Sequence, residues 1–301
     1  MAVMSEPAAP AGPDLTAVGA AFGRAAHVLL DPAPHVFTDT LSLKLADEPA
    51  LRAANLLAPD GGLALDPREP RAQWRGTFAA RARFVEELVA ERLELGVTQY
   101  VILGAGLDTF AQRRPELASR LRVFEIDGPV TQAWKRERLR ALALAVPEGL
   151  RFVPVDFESG DSWVREIARH GFDLTRPAVI ASTGVAQCIS REACAKTLRE
   201  AAELAAGTTF VSTFMLPIER IDPRERELRA LTEQRAAARG FPWISFYSAE
   251  EFVSLARGAG FDDLRHVSSA ELNQRYFAGR SDGLRAADGE HLITATRRER
   301  R

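Results

Sequence analysis

Apolar residues Phe78, Phe84, Val85, Leu88, Val89 and Leu93 return at helical spacing between Thr77 and Leu95, and Gly96 stops the run. Beyond it the pattern changes to short apolar segments alternating with helical stretches, as in a mostly parallel sheet covered on both faces. The predicted strands are Gln99–Leu103, Val123–Asp127, Arg151–Val155, Ala178–Ser182 and Thr208–Phe214, with closing strands near Leu264–Val267 and His291–Thr296 and an antiparallel edge. Pro129 suits a first helical turn and Pro147 stops that helix, while Ser190 caps a helix through Leu198 to Leu204 that Gly207 closes. Asp222, Pro223 and Glu225 open a charged helix that runs to Gly240, and Ser248 with Glu251 forms a capping box for a helix ending at Gly260.

Upstream, Leu15–Leu30 and Thr40–Leu57 read as helices separated by the proline-punctuated stretch Asp31–Phe37, and Ala58–Pro70 reads as a loop. The alanine- and proline-rich start, residues 1–14, reads as a disordered leader without the basic and apolar blocks of a signal peptide. The expected organisation is a helical cap over 15–76, an α/β domain over 77–301, and a helical lid inserted around 217–247.

Composition narrows the function classes. With 46% hydrophobic residues in 301, the chain can bury a sizeable core, and no apolar stretch approaches bilayer-spanning length. A formal net charge of −2 argues against a general nucleic-acid binder, despite the basic tail Arg297, Arg298, Arg300 and Arg301. The two cysteines, Cys188 and Cys194, form no CxxC and no disulfide framework, so no metal site and a reducing, cytoplasmic setting are expected. Oligomeric state is not legible.

The chemistry concentrates where the first strand breaks into Gly104, Ala105, Gly106, Leu107, Asp108 and Thr109, and where the second ends on Asp127. Glycines at 104 and 106 let backbone approach a ligand, and an acid about twenty residues on can accept both ribose hydroxyls. A dinucleotide fold would place a third glycine where Thr109 stands, and Asp108 would repel a pyrophosphate. The turn therefore favours S-adenosylmethionine, with its ammonium and sulfonium, over NAD. Glu125 is a second acid on the same strand, without an assigned role.

The runs ARARFVEE, YVILGAGLDTFAQR and VFEIDGPVTQAWKRERL, with VPVDF and ELNQRYFAGRSDGLR further on, resemble the bacterial branch of the leucine carboxyl methyltransferase family. That resemblance implies a Rossmann-like class I methyltransferase fold with a seven-stranded sheet. It also implies that Arg81 pairs with the methionyl carboxylate of S-adenosylmethionine, that Asp127 holds the ribose, and that Asp156 and Phe157 meet the adenine. Arg83, two positions on and facing elsewhere on the helix, is the competing candidate, and each assignment has a plainer reading: Arg81 as one of several solvated helix arginines, Asp127 as a helix cap, Phe157 as core. The chain departs from the protein-methylating members, which carry a glutamate before glycine at the end of the fourth strand. Here Ser182, Thr183 and Gly184 stand there, and Cys188 beside Gln187 replaces a tyrosine.

These changes bear on the methyl acceptor more than on the reaction. The expected activity is O-methylation of a small carboxylate or hydroxyl compound of bacterial secondary metabolism. Thr183, Gln187, Arg275 and Tyr276 are the candidate acceptor contacts, although Arg275 and Tyr276 equally suit packing for the last strands. A carboxylate is already ionised at neutral pH and needs no base, whereas a hydroxyl would need one; His27, His35 and Tyr276 are considered, and no catalytic base is named. The alternatives are a nicotinamide-dependent oxidoreductase and a non-catalytic binding protein of the same architecture.

Overall fold

The computed structural model describes residues 12–64, 72–238 and 240–298. Five parallel strands, β1 (Gln99–Leu103), β2 (Arg122–Asp127), β3 (Leu150–Pro154), β4 (Val179–Ser182) and β5 (Thr209–Met215), are completed by β6 (Asp263–Val267) and the antiparallel β7 (Glu290–Thr296). Their order in the seven-stranded sheet is β3-β2-β1-β4-β5-β7-β6. The direction of winding reverses between β1 and β4, and a crevice at the C-terminal ends of those two strands is where such sheets take ligands.

Buried β-branched and aromatic residues fill both faces of the sheet. Val101, Phe124, Ile180 and Phe214 belong to one apolar cluster, and Tyr100, Ile102, Val123 and Val211 to the other. Both clusters are completed by helices: α4 (Ala72–Glu94) enters β1, the short α5 (Phe110–Arg113) and α6 (Pro115–Ala118) precede β2, and α7 (Pro129–Ala141) precedes β3. Then come α8 (Trp163–Arg169), α9 (Arg191–Ala202), α10 (Arg226–Ala238), α11 (Ala249–Ala259) and α12 (Ser269–Tyr276). The capping box of Ser248 and Glu251 is formed, and Gly260 ends α11 at φ 116°.

The strands stand within one or two residues of their predicted places. The chain ahead of them differs more. Asp14, assigned to the leader, is the N-cap of α1 (Leu15–Leu30), and the leader up to residue 11 lies outside the described residues. The helix expected over Thr40–Leu57 is two short ones, α2 (Leu41–Leu45) and α3 (Glu48–Ala53). The break falls where Asp47 caps a new start by accepting from Ala50 N–H at 2.9 Å, with Pro49 in the first turn. In the predicted loop 58–70, Leu63 bridges back to Leu57, and 65–71 lie outside the described residues. Helix α4 starts five residues earlier than expected, and at Gly76 a side chain would run into the Arg285 carbonyl. The charged helix after β5 begins with a 3-10 turn, Pro223–Glu225, whose N-cap is Asp222.

A third apolar cluster joins α1 and α3 to the first strand's exit. Val18, Ala21, Leu51 and Leu56 bury Leu107, which is 2% exposed although it lies in the glycine turn. The helices before α4 thereby rest on the rim of the sheet.

Candidate functional site

Two glycines shape the exit from β1. Gly104 has φ 64° and Gly106 φ 49°, a region L side chains rarely adopt, and a Cβ on Gly106 would stand 2.8 Å from Ala17 Cβ in the first turn of α1. Asp127, at the end of β2, accepts the Gly106 N–H at 2.6 Å and the Gly128 N–H at 2.7 Å. Burial lifts its carboxyl above the ordinary aspartate range, and those two bonds act against the shift. Asp108 accepts from Phe110 N–H at 2.7 Å, a local bond that holds the turn leading into α5.

Thr109, at the position of the absent third glycine, is fully buried and donates to Asp39 Oδ2 at 2.9 Å. Asp39 has no exposed surface; it also takes Arg24 Nε at 2.8 Å and the Ser42 N–H at 2.9 Å, and Arg24 Nη2 reaches the Leu107 carbonyl at 2.9 Å. This network ties the helices ahead of α4 to the glycine turn. It was invisible in the sequence, because Asp39 and Thr109 are joined only by folding.

Across the crevice, Gly184 follows β4 at φ 74°, and its missing side chain leaves room for the Arg81 guanidinium, 3.1 Å from the would-be Cβ. The guanidinium also lies 4.7 Å from the Phe78 ring centroid. Arg81 is 9% exposed and donates through Nη1 to Glu290 Oε1 at 2.7 Å, whereas Arg83 is half exposed and pairs with Glu87. Gln187 is buried, donating to the Gly184 carbonyl at 3.1 Å, and Thr183 is half-buried at the strand's end. Burial pushes the Cys188 thiol up to about 12, so it is no nucleophile at neutral pH.

From Arg81 an aromatic series leads outward. Phe78 lies 6.2 Å from Trp74, and Trp74 meets Trp243 edge-on at 5.9 Å. The Arg229 guanidinium of α10 stands 4.9 Å from the Trp243 ring and 5.2 Å from that of Phe246. Arg229 is 2% exposed and its Nε lies 2.6 Å from Glu233, yet among the described residues Nη1 has no acceptor, and neither has Trp74 Nε1.

Asp156 is exposed and accepts from Glu158 N–H at 2.9 Å, with Phe157 half-buried beside it against the core. Arg275 and Tyr276 both reach Glu87 Oε2, each at 2.7 Å, on the outer side of α4. His27 is fully buried with both ring nitrogens used: Val36 N–H donates to Nε2 at 3.0 Å and Nδ1 meets Asp31 at 2.9 Å. Glu125 forms a buried ion pair with Lys135, and burial pushes its carboxyl up to about 7.

A glycine turn, a strand-end acid and a buried arginine around the β1–β4 crevice coincide with a match of residues 17–202 to the model of the leucine carboxyl methyltransferase family. The chain belongs to this family. It is 30% identical to YktD of Bacillus subtilis, which carries the name S-adenosyl-L-methionine-dependent methyltransferase, over 94% of this chain and 98% of that one. A Mycolicibacterium gilvum protein of the same name is 32% identical over 62% of this chain and 68% of its own length. The fold matches a DUF574 family protein from Streptomyces avermitilis, TM-score 0.57 at 19% identity, over 91% and 96% of the two chains. A methyltransferase-named protein from Thermobifida fusca matches with TM-score 0.54 at 17% identity over 99% and 100%. The protein is an S-adenosylmethionine-dependent methyltransferase of the leucine carboxyl methyltransferase family, with the Rossmann-like sheet of class I. No described helix is long and apolar enough to cross a membrane.

Proposed function

We propose that this methyltransferase methylates an oxygen of a small acidic, aromatic acceptor that binds between α10, the start of α4 and the segment before β7. The single observation that carries this reading is Arg229: a nearly fully buried guanidinium between two aromatic faces, with an N–H that no acceptor among the described residues satisfies. Leaving such a donor unpaired in the interior costs about 1–3 kcal/mol, so it suits a group that donates to an anionic ligand. Trp74 and Trp243 supply flat walls for a ring.

The rim residues fit S-adenosylmethionine. Asp127 keeps lone pairs for the ribose hydroxyls beyond those the Gly106 and Gly128 N–H groups occupy, Arg81 offers a planar fork to the methionyl carboxylate, and the side-chain-free face of Gly184 leaves space beside it. Asp156 and Phe157, just past β3, take the adenine end in this reading. Bound there, S-adenosylmethionine supplies an electrophilic methyl on a sulfonium. The protein's own work is to align the acceptor and to exclude water, with α1 lying over Gly106. An ionised carboxylate acceptor needs no base, and His27 has no free nitrogen to act as one.

The helices of 15–76 then act as a cap and the insertion around 217–247 as a lid. The gap lined by Trp74, Glu225, Arg229 and Gly289 has room for about one water molecule, so acceptor entry requires α10 to shift. The test is methyl transfer from S-adenosylmethionine to a panel of benzoic, phenylacetic and hydroxybenzoic acids beside their amides, with wild type and Arg229→Gln. Turnover of acids over amides, lost in the variant while S-adenosylhomocysteine affinity holds, supports the reading. Equal turnover of acids and amides contradicts it.

A further inference from the structure

Glu290 opens β7, in register with Met215 at the end of β5, which places it at the same rim as the crevice. It is 2% exposed. One carboxylate oxygen, Oε1, takes the Arg81 guanidinium at 2.7 Å, while Oε2 is buried and accepts no hydrogen bond from the described residues. A buried ion pair is a poor device for stability alone, and a bare carboxylate oxygen inside it makes the arrangement costlier. The lone pair is left open beside the arginine that faces Gly184.

The methionyl tail of the cofactor carries an ammonium and a carboxylate on the same carbon. A guanidinium bonded to a carboxylate presents the complementary pair of charges. At the end of β4, Ser182, Thr183 and Gly184 offer no acid to an ammonium. Asp14, a half-buried carboxylate, is engaged as the N-cap of α1, its Oδ1 accepting both the N–H and the hydroxyl of Thr16 at 2.7 and 2.8 Å. We infer that Glu290 is the anionic ligand of the cofactor's ammonium group: Oε2 accepts from it while Oε1 stays on Arg81, and Arg81 binds the neighbouring carboxylate. The inference rests on the reading of Arg81 as the carboxylate ligand.

Calorimetry separates the two assignments. The ligands are S-adenosylhomocysteine, its deaminated analogue with hydrogen in place of the amino group, and its decarboxylated analogue. Wild type is expected to bind S-adenosylhomocysteine about tenfold to a hundredfold more tightly than the deaminated analogue, the worth of a charge-assisted hydrogen bond. Glu290→Gln, which keeps the shape, should lose that preference by weakening only the amino-bearing ligands, and Asp14→Asn should retain it. Equal weakening of all three ligands by Glu290→Gln, or tighter binding of S-adenosylhomocysteine because Arg81 has been released, overturns the inference. So does a wild type that binds the deaminated ligand as well as the parent, a comparison that needs no variant. Arg81→Ala tests the underlying reading separately: it should weaken S-adenosylhomocysteine and spare the decarboxylated analogue, and a variant that treats the two alike removes the carboxylate assignment whatever Glu290 does.

Discussion

The two sides of the crevice are built by different means. On the β1–β2 side, backbone geometry and one acid do the work: Gly104 and Gly106 bend the chain, and Asp127 fastens the turn through the Gly106 N–H, 21 residues away. On the β4–β7 side, charged side chains from distant segments meet: Arg81 and Glu290 are 209 residues apart, and Arg229 arrives from α10. The first side suits a ligand common to a whole fold class, since a backbone turn and a strand-end acid can recognise what every such cofactor has. The second can vary with the acceptor while the sheet remains unchanged.

The largest effect that probes this contrast is expected on the first side. Asp39→Ala removes the fully buried carboxylate that Arg24, Thr109 and the Ser42 N–H share, leaving the mostly buried Arg24 guanidinium with only the Leu107 carbonyl, and should cost about 3–5 kcal/mol in denaturant unfolding. A loss below about 1 kcal/mol would mean that the helices ahead of α4 are not fastened to the glycine turn through this residue.

Next comes the pH dependence that Glu125 imposes beneath the same turn. Its carboxyl sits at about 7 in the folded chain against 4.5 as an isolated side chain, raised by burial. Between those values the folded state holds the proton and the unfolded state does not, so stability falls as pH rises from about 4.5 to 7, by up to about 3 kcal/mol. Glu125→Gln should flatten that slope; an unchanged profile would show that Lys135 compensates the buried charge completely.

Smaller effects read the ligand directly. Asp127→Ala and Arg81→Ala should each weaken S-adenosylhomocysteine about tenfold to a hundredfold while the chain stays folded, measured by calorimetry beside circular dichroism. Unaltered affinity in both would dissolve the assignment of the two sides. The smallest effect belongs to the outer face of α4. Arg275→Ala breaks a half-exposed pair with Glu87, should cost no more than about 0.5 kcal/mol, and should leave cofactor affinity unchanged. A drop in methyl transfer there would bring Arg275 back as an acceptor contact.

The same contrast explains what the sequence disclosed. Strand positions were legible within one or two residues because a doubly covered sheet writes each buried strand as a short apolar run. The turn from Gly104 to Thr109 and the acid at 127 were legible because local backbone geometry demands those residue types at those spacings. The break between α2 and α3 was missed because Asp47 and Pro49 interrupt an otherwise helical apolar pattern. Glu290 and Arg229 went unnoticed because each looks like an ordinary charge until folding buries it. Arg275 and Tyr276 stood out as a charge beside a ring, but Glu87 engages both.

A crystal structure with S-adenosylhomocysteine tests the account most directly. The ribose hydroxyls should lie on Asp127, with the tail carboxylate on Arg81 and the ammonium on Glu290. A tail that points away from Gly184 and leaves the Arg81–Glu290 pair untouched would contradict it.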